Sequence, residues 1–134
     1  MKRFFELTFR PFFVITGAAT TLGALLAFWP RWAAVHLLRI DFVQDYTIIL
    51  QHWGFLLGLV GVFMIVAAFR EDWRQPVLIL CCCEKAFVVY LVIVNARYPY
   101  SHGLRMGAAM DATVALYTIG YFAFGGSRTP LPTG

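Results

Sequence analysis

Four long runs of apolar residues, each cut off by charged residues or proline, set the pattern of this chain. A bilayer core of roughly 30 Å takes about twenty apolar residues in helical form, so such runs count as candidate membrane spans. The first covers 12–29, with Pro11 at a first-turn position and Pro30 and Arg31 closing it. The second covers 46–69 and stops at Arg70, Glu71, Asp72 and Arg74. The third starts at Pro76, covers 76–95, and is interrupted midway by Glu84 and Lys85. The fourth covers 106–124, carries Asp111, and gives way to a Gly, Ser and Pro tail expected to be loosely held. Between the first two runs, Arg31 to Asp45 mixes Trp32, Ala33, Ala34, Val35, Leu37 and Leu38 with Arg31, His36 and Arg39. This segment reads as a short helix lying in the headgroup layer. The other connections are short and favour antiparallel neighbours. The predicted fold is therefore all-α: a four-helix, up-down-up-down membrane bundle forming a single domain over residues 1–134.

Composition strengthens this reading. Of the 134 residues, 60% are hydrophobic and 13% charged, too apolar for a soluble domain of this size. The formal net charge of +4 raises the question of nucleic acid. The basic residues, however, sit at the edges of the apolar runs and form no stripe, so lipid is the expected partner and nucleic acid is not. Lys2, Arg3, Arg10, Arg70, Arg74 and Arg128 fall on one predicted side, and Arg31, Arg39, Arg97 and Arg105 on the other. The bias places both termini in the cytoplasm. Trp29, Trp32, Trp73, Tyr98 and Tyr100 lie near the span ends, as interfacial aromatics do. The first apolar stretch, about nineteen residues, is longer than a signal-peptide core and ends without a small-residue cleavage site, so it is expected to be a retained helix.

Close helix packing in lipid depends on small residues. Gly54 and Gly58 form a G-x-x-x-G pair in the second span, with Gly61 one turn further on. Gly17 with Thr21, and Ala19 with Gly23, are equivalent pairs in the first. They fit seams within the bundle or a contact with another chain.

The polar residues inside the runs carry the candidate chemistry. A charged side chain near the bilayer centre costs about 2.5 to 3.5 kcal/mol, so such groups turn inward and find partners. The expected intramembrane cluster comprises Gln51, His52, Glu84, Lys85 and Asp111. At about 1.5 Å per residue, His52 and Asp111 fall roughly 7 to 9 Å below the outer ends of their spans. Tyr90 and Asn95 share that outer half, and Glu84 and Lys85 lie deeper. Because successive helical residues diverge by about 100°, Glu84 and Lys85 are expected to meet different neighbours. Lys85 should reach Asp111, and Glu84 should reach His52, Gln51, Thr16 or Thr20. Such a cluster is either a clasp that fixes helix register or a proton-handling or ligand-binding site open to the outer face.

Other chemistries find little support. Cys81, Cys82 and Cys83 are consecutive, point in three directions on a helix, and read as small apolar residues. His36 and His102 fall in the outer connections, so His52 lacks a facing histidine for haem ligation. Asp41 and Asp45 alone do not define a cation site. No catalytic, nucleotide-binding or zinc-protease motif is present, and no metal or cofactor is implied.

Several of these features together resemble the DoxX-like family of small four-helix bacterial membrane proteins. They are Phe28, Trp29 and Pro30 at the end of the first span; His52, Trp53 and Gly54 with glycine-spaced leucines after them; Ala67, Ala68, Phe69 and Arg70; Glu84 and Lys85; and Asp111. The resemblance covers nearly the whole chain. It implies a four-helix fold in the bacterial inner membrane and a place beside redox complexes, and it names no activity for most members. The leading expectation is a non-catalytic accessory or scaffold subunit of a larger respiratory, photosynthetic or other redox membrane complex. The alternative is a small transporter or ligand-binding membrane protein using Glu84, Lys85, Asp111 and His52. A membrane redox or quinone-handling enzyme with a cleft lined by His52, Trp53 or Tyr90 is a third possibility.

Overall fold

A computed structural model of the chain describes residues 2–125, and every element in that range is helical. Arg128 and the Gly, Ser and Pro tail lie outside the described residues. The elements are α1 (Lys2–Thr21), α2 (Leu25–Phe28), α3 (Pro30–His36), α4 (Thr47–Phe69), α5 (Glu71–Val94) and α6 (Ser101–Gly120). A 3-10 turn, Leu22–Ala24, joins α1 to α2, another, Gln44–Tyr46, leads into α4, and a π-helical turn, Tyr121–Gly125, follows α6. Three helical stretches are long and apolar enough to cross a membrane: Arg3–Phe28, Gln44–Phe69 and Glu71–Val94. The chain is thus a helical membrane protein.

Three helices start earlier than the apolar runs suggested, each for a local reason. In α1, Phe5, Phe9 and Phe13 recur every four residues and are all buried, so the helix extends well before Pro11. Pro11 lies inside the helix instead of its first turn, where it leaves the Leu7 carbonyl without its usual N–H partner. In α5, Glu71 and Asp72 occupy the first turn, where acidic groups complement the partial positive charge of a helix N-terminus. Arg70 stands just outside in extended conformation and grips Asp72 through two 3.1 Å hydrogen bonds, which fixes the tight link to α4. In α6, Ser101 starts the helix and its hydroxyl donates to the Tyr98 carbonyl at 2.8 Å.

The break after Phe28 follows from Pro30. A residue before proline is disfavoured in the helical region, and Trp29 sits at φ −132°, ψ 64°. Pro30 then opens α3, whose Ala33 and Ala34 are fully buried with Leu26 beneath Leu50, Trp53 and Leu57. The segment after α3 turns through Arg39 in a left-handed conformation, φ 53°. The carbonyls of Leu38 and Arg39 lie over Gly103 near the start of α6, where a Cβ would come within 2.6 Å of the Arg39 oxygen.

Small residues set the crossing of α1 and α4. A Cβ on Gly54 would stand 2.5 Å from the Leu26 Cβ and 2.6 Å from the Ala27 nitrogen. One on Gly61 would stand 2.6 Å from the Gly17 carbonyl oxygen, and one on Gly23 2.8 Å from the Leu57 Cβ. Gly17, Thr21, Gly23, Gly54, Gly58 and Gly61 thus meet within the chain. Backbones this close exchange dispersion contacts that lipid cannot match. Elsewhere, Phe9 and Phe13 of α1, Met64, Ala67 and Ala68 of α4, Val77, Leu78 and Cys81 of α5 and Val114 of α6 share one core. At its lower end Phe12 stacks on Tyr117 at 4.0 Å, and Phe5 meets Tyr117 and Tyr121 edge-on, tying α1 to the end of α6.

Gly54→Ala is expected to lower stability in detergent by about 1–3 kcal/mol, because the added methyl has no room. Gly107→Ala, where nothing lies within 4 Å, should leave stability unchanged or slightly raised. Thermal unfolding of the two variants side by side checks the seam, and equal losses would contradict it.

Candidate functional site

The interior of α5 and α6 is polar at one level. On α5 the buried positions Val77, Leu78, Cys81 and Lys85 define one helical face, and on α6 Ala108, Asp111, Val114, Ala115 and Thr118 define another. The two faces meet. Lys85 is 1% exposed, yet Phe87, two residues on, is 59% exposed, the reverse of the order in a protein surrounded by water. The Lys85 Nζ lies 2.9 Å from Asp111 Oδ1 and 3.1 Å from Glu84 Oε2. Neither oxygen has a partner other than the ammonium. The side chains of Asp111 and Glu84 are 9% and 25% exposed, so the cation is sealed while one carboxylate keeps an edge toward the outside.

The structure alters the cluster expected from sequence. Because α6 begins at Ser101, Asp111 sits about 15 Å along it, not 7 to 9 Å below its outer end. That brings it level with Lys85, about 14 Å from the C-terminal end of α5. His52 stays about 8 Å from the start of α4, is exposed, and takes no part. Gln51 is also excluded: it lies on the same face as Gly54 and Gly58, turned toward α2, and its Nε2 donates to the Ala27 carbonyl at 3.1 Å. That carbonyl lies at the helix end broken by Trp29 and Pro30. Glu84 meets none of His52, Gln51, Thr16 or Thr20. The two threonine hydroxyls donate instead to the carbonyls of Phe12 and Thr16, four residues back in their own helix. Glu84 and Lys85 do not part toward different neighbours, since the flexible lysine stem lets the ammonium reach sideways to the adjacent carboxylate as well as across to Asp111.

Other sequence candidates scatter. Tyr90 is exposed and stacks on Phe87, Trp53 packs with Leu26, Ala33 and Ala34, and Asn95 bonds to the Leu91 carbonyl and the Tyr100 hydroxyl. Trp53 is thus packed against α2 and α3, while His52 and Tyr90 are exposed. Cys81 is buried, Cys82 half-buried and Cys83 exposed, all as free thiols. Asp41 and Asp45 are exposed, and no third ligand joins them among the described residues.

Two features were not anticipated from sequence. Thr118 is fully buried and its hydroxyl has no partner among the described residues. Its spacing, seven residues after Asp111 on the same face, was the available signal. Arg74 places its guanidinium 4.5 Å above the Phe9 ring and 3.5 Å from Glu71, bordering a polar cavity of about 360 Å³ with Glu6, Arg10 and Tyr121. Its contact with Phe9 depends on α1 extending back past Pro11.

Comparison with protein-family models, with curated proteins and with solved structures gives no match to this chain.

The triad makes an asymmetric prediction. Lys85→Met strands two carboxylates in an apolar interior and should cost about 3–5 kcal/mol, as breaking a buried pair does. Asp111→Asn leaves Lys85 paired with Glu84 and should cost clearly less. Unfolding midpoints of both variants in one detergent measure the order, and a reversed order would refute the assigned partners.

Proposed function

We propose that this chain is a non-catalytic membrane protein of four spans, an accessory or scaffold subunit that packs beside larger subunits in a bacterial inner membrane. The observation that carries this reading is the pairing of Lys85 with both Glu84 and Asp111. The interior ionic groups bind one another, while His52 and Gln51 lie outside the group, so the polar residues act first as a clasp between α5 and α6. In this reading α6 is the fourth span: at 20 residues it reaches about 30 Å, and its Asp111 enters lipid already neutralised by Lys85. The chain then runs up-down-up-down with both termini cytoplasmic, in keeping with the resemblance to DoxX-like proteins. Because the small-residue seam joins α1 to α4, docking falls to outward apolar side chains such as Phe55 of α4, Phe87 of α5 and Leu116 of α6.

A second reading, a small transporter or ligand-binding protein, draws on the partial exposure of Glu84. Its site would be Glu84, Lys85 and Asp111 without His52.

Solubilisation in a mild detergent, followed by affinity capture and native mass measurement, separates the two. An accessory subunit should emerge with larger membrane proteins in fixed ratio. A clean monomer would remove the accessory role and leave the site on Glu84 as the better reading.

A further inference from the structure

The triad brings two carboxylates to a single ammonium. With all three groups ionised it would hold one unbalanced negative charge, in a place where Lys85 is sealed and Asp111 nearly so. An uncompensated charge in an apolar interior is costly, and the group neutralises where it can. The titratable groups facing the pair are Lys85 and Cys81 on α5 and Asp111 on α6, while α1 and α4 contribute no ion pair among the described residues. No second cation among the described residues lies within ion-pair distance of the cluster.

We infer that the triad is a proton-binding site that takes one proton from water and holds it on the Glu84 carboxyl, with Lys85 and Asp111 remaining an ion pair. The choice between carboxylates follows from geometry. Asp111 is the closer to the ammonium, at 2.9 Å against 3.1 Å, and the more buried. Glu84 Oε2 is enclosed against Lys85, whereas Oε1 receives no hydrogen bond from the described residues and supplies the lone pair for the proton. The 25% exposure of the Glu84 side chain turns part of it toward the outside of the bundle, where a lipid-soluble reagent can reach the protonated carboxyl. Since the two carboxylates share one cation, they titrate as a coupled pair, and removing one changes the proton affinity of the other. The inference rests on a lipid-exposed exterior and not on the accessory role.

The test uses the full chain in lipid nanodiscs and dicyclohexylcarbodiimide, which modifies protonated carboxyl groups in apolar surroundings, with adducts located by peptide mass spectrometry. Wild type should be labelled at Glu84 at neutral pH, with labelling falling as pH rises and indifferent to sodium. In Asp111→Asn the excess negative charge is gone, so labelling of the retained Glu84 should fall about tenfold, the step given by one decade of proton affinity. Infrared spectroscopy of the wild type should show a protonated carboxylic acid carbonyl band that shifts in heavy water and is absent from Glu84→Gln. A wild type with neither label nor band refutes the site, and label on Asp111 refutes the assignment. Suppression by sodium at fixed pH replaces the proton with a metal cation and also overturns the proposal. The wild-type measurements stand alone if a variant misfolds, and their failure would leave the copurification result untouched.

Discussion

An ammonium group inside an apolar helical protein has to be met by negative charge from the protein itself, and Lys85 is where this chain meets that demand. Its Nζ is held between carboxylates of α5 and α6 while phenylalanines and leucines of the same helices face outward. In lipid that arrangement is the low-energy one, because hydrocarbon offers neither water nor counter-ions. The pairing fixes the rotation of α5 and α6 about their axes, since turning either helix by one residue would move its charge by about 100°. It also sets their relative height, because Lys85 and Asp111 must lie at one level.

The rest of the chain is held by different physics. Between α1 and α4 there is no ion pair among the described residues; the glycines bring backbone to within a carbon atom's width of backbone, and dispersion holds the two helices together. The threonines on α1 satisfy themselves against carbonyls one turn back. Such back-bonding tends to bend helices, and the 3-10 stretch Leu22–Ala24 follows directly on Thr20 and Thr21. The two helix pairs are joined at their lower end by the rings of Phe5, Phe9, Phe12, Tyr117 and Tyr121, where edge-on and stacked contacts give the join a defined geometry. A seam of glycines is intolerant of added volume, and an ionic clasp is intolerant of lost charge.

Much of this was legible in the chain. Long uncharged runs mark helices by length alone, the small residues of α1 and α4 mark a close crossing, and the lysine's reach toward Asp111 follows from the cost of charge in lipid. Helix starts are less legible, because the charge that ends an apolar run shortens the helix the run predicts. Glu71 and Asp72 instead open α5, where the helix dipole favours them, and Arg70 ties them down. That same shortening of α6 put Asp111 too near the outer face and drew His52 into its company. Which face of α4 turns inward was set by Gly54 and Gly58, and Gln51 followed those glycines toward Ala27. Periodicity along one helix does not say which neighbour a face will meet, so Glu84, His52 and Gln51 do not meet the partners expected of them, although Lys85 does.

The three members of the triad do not have equal structural reasons to be present. Lys85 and Asp111 alone form a neutral, nearly sealed pair that would clasp α5 to α6. Glu84 adds nothing to that link between helices, since it stands beside Lys85 on the same one, and it adds a charge to be compensated. Residue 84 also lies at the edge of the buried face, where an apolar side chain could turn outward as Phe87 does. A purely structural clasp therefore accounts for two of the three groups. The third, carrying the largest exposure and the looser hold on the ammonium, is the one free to change its protonation without breaking the link between the helices.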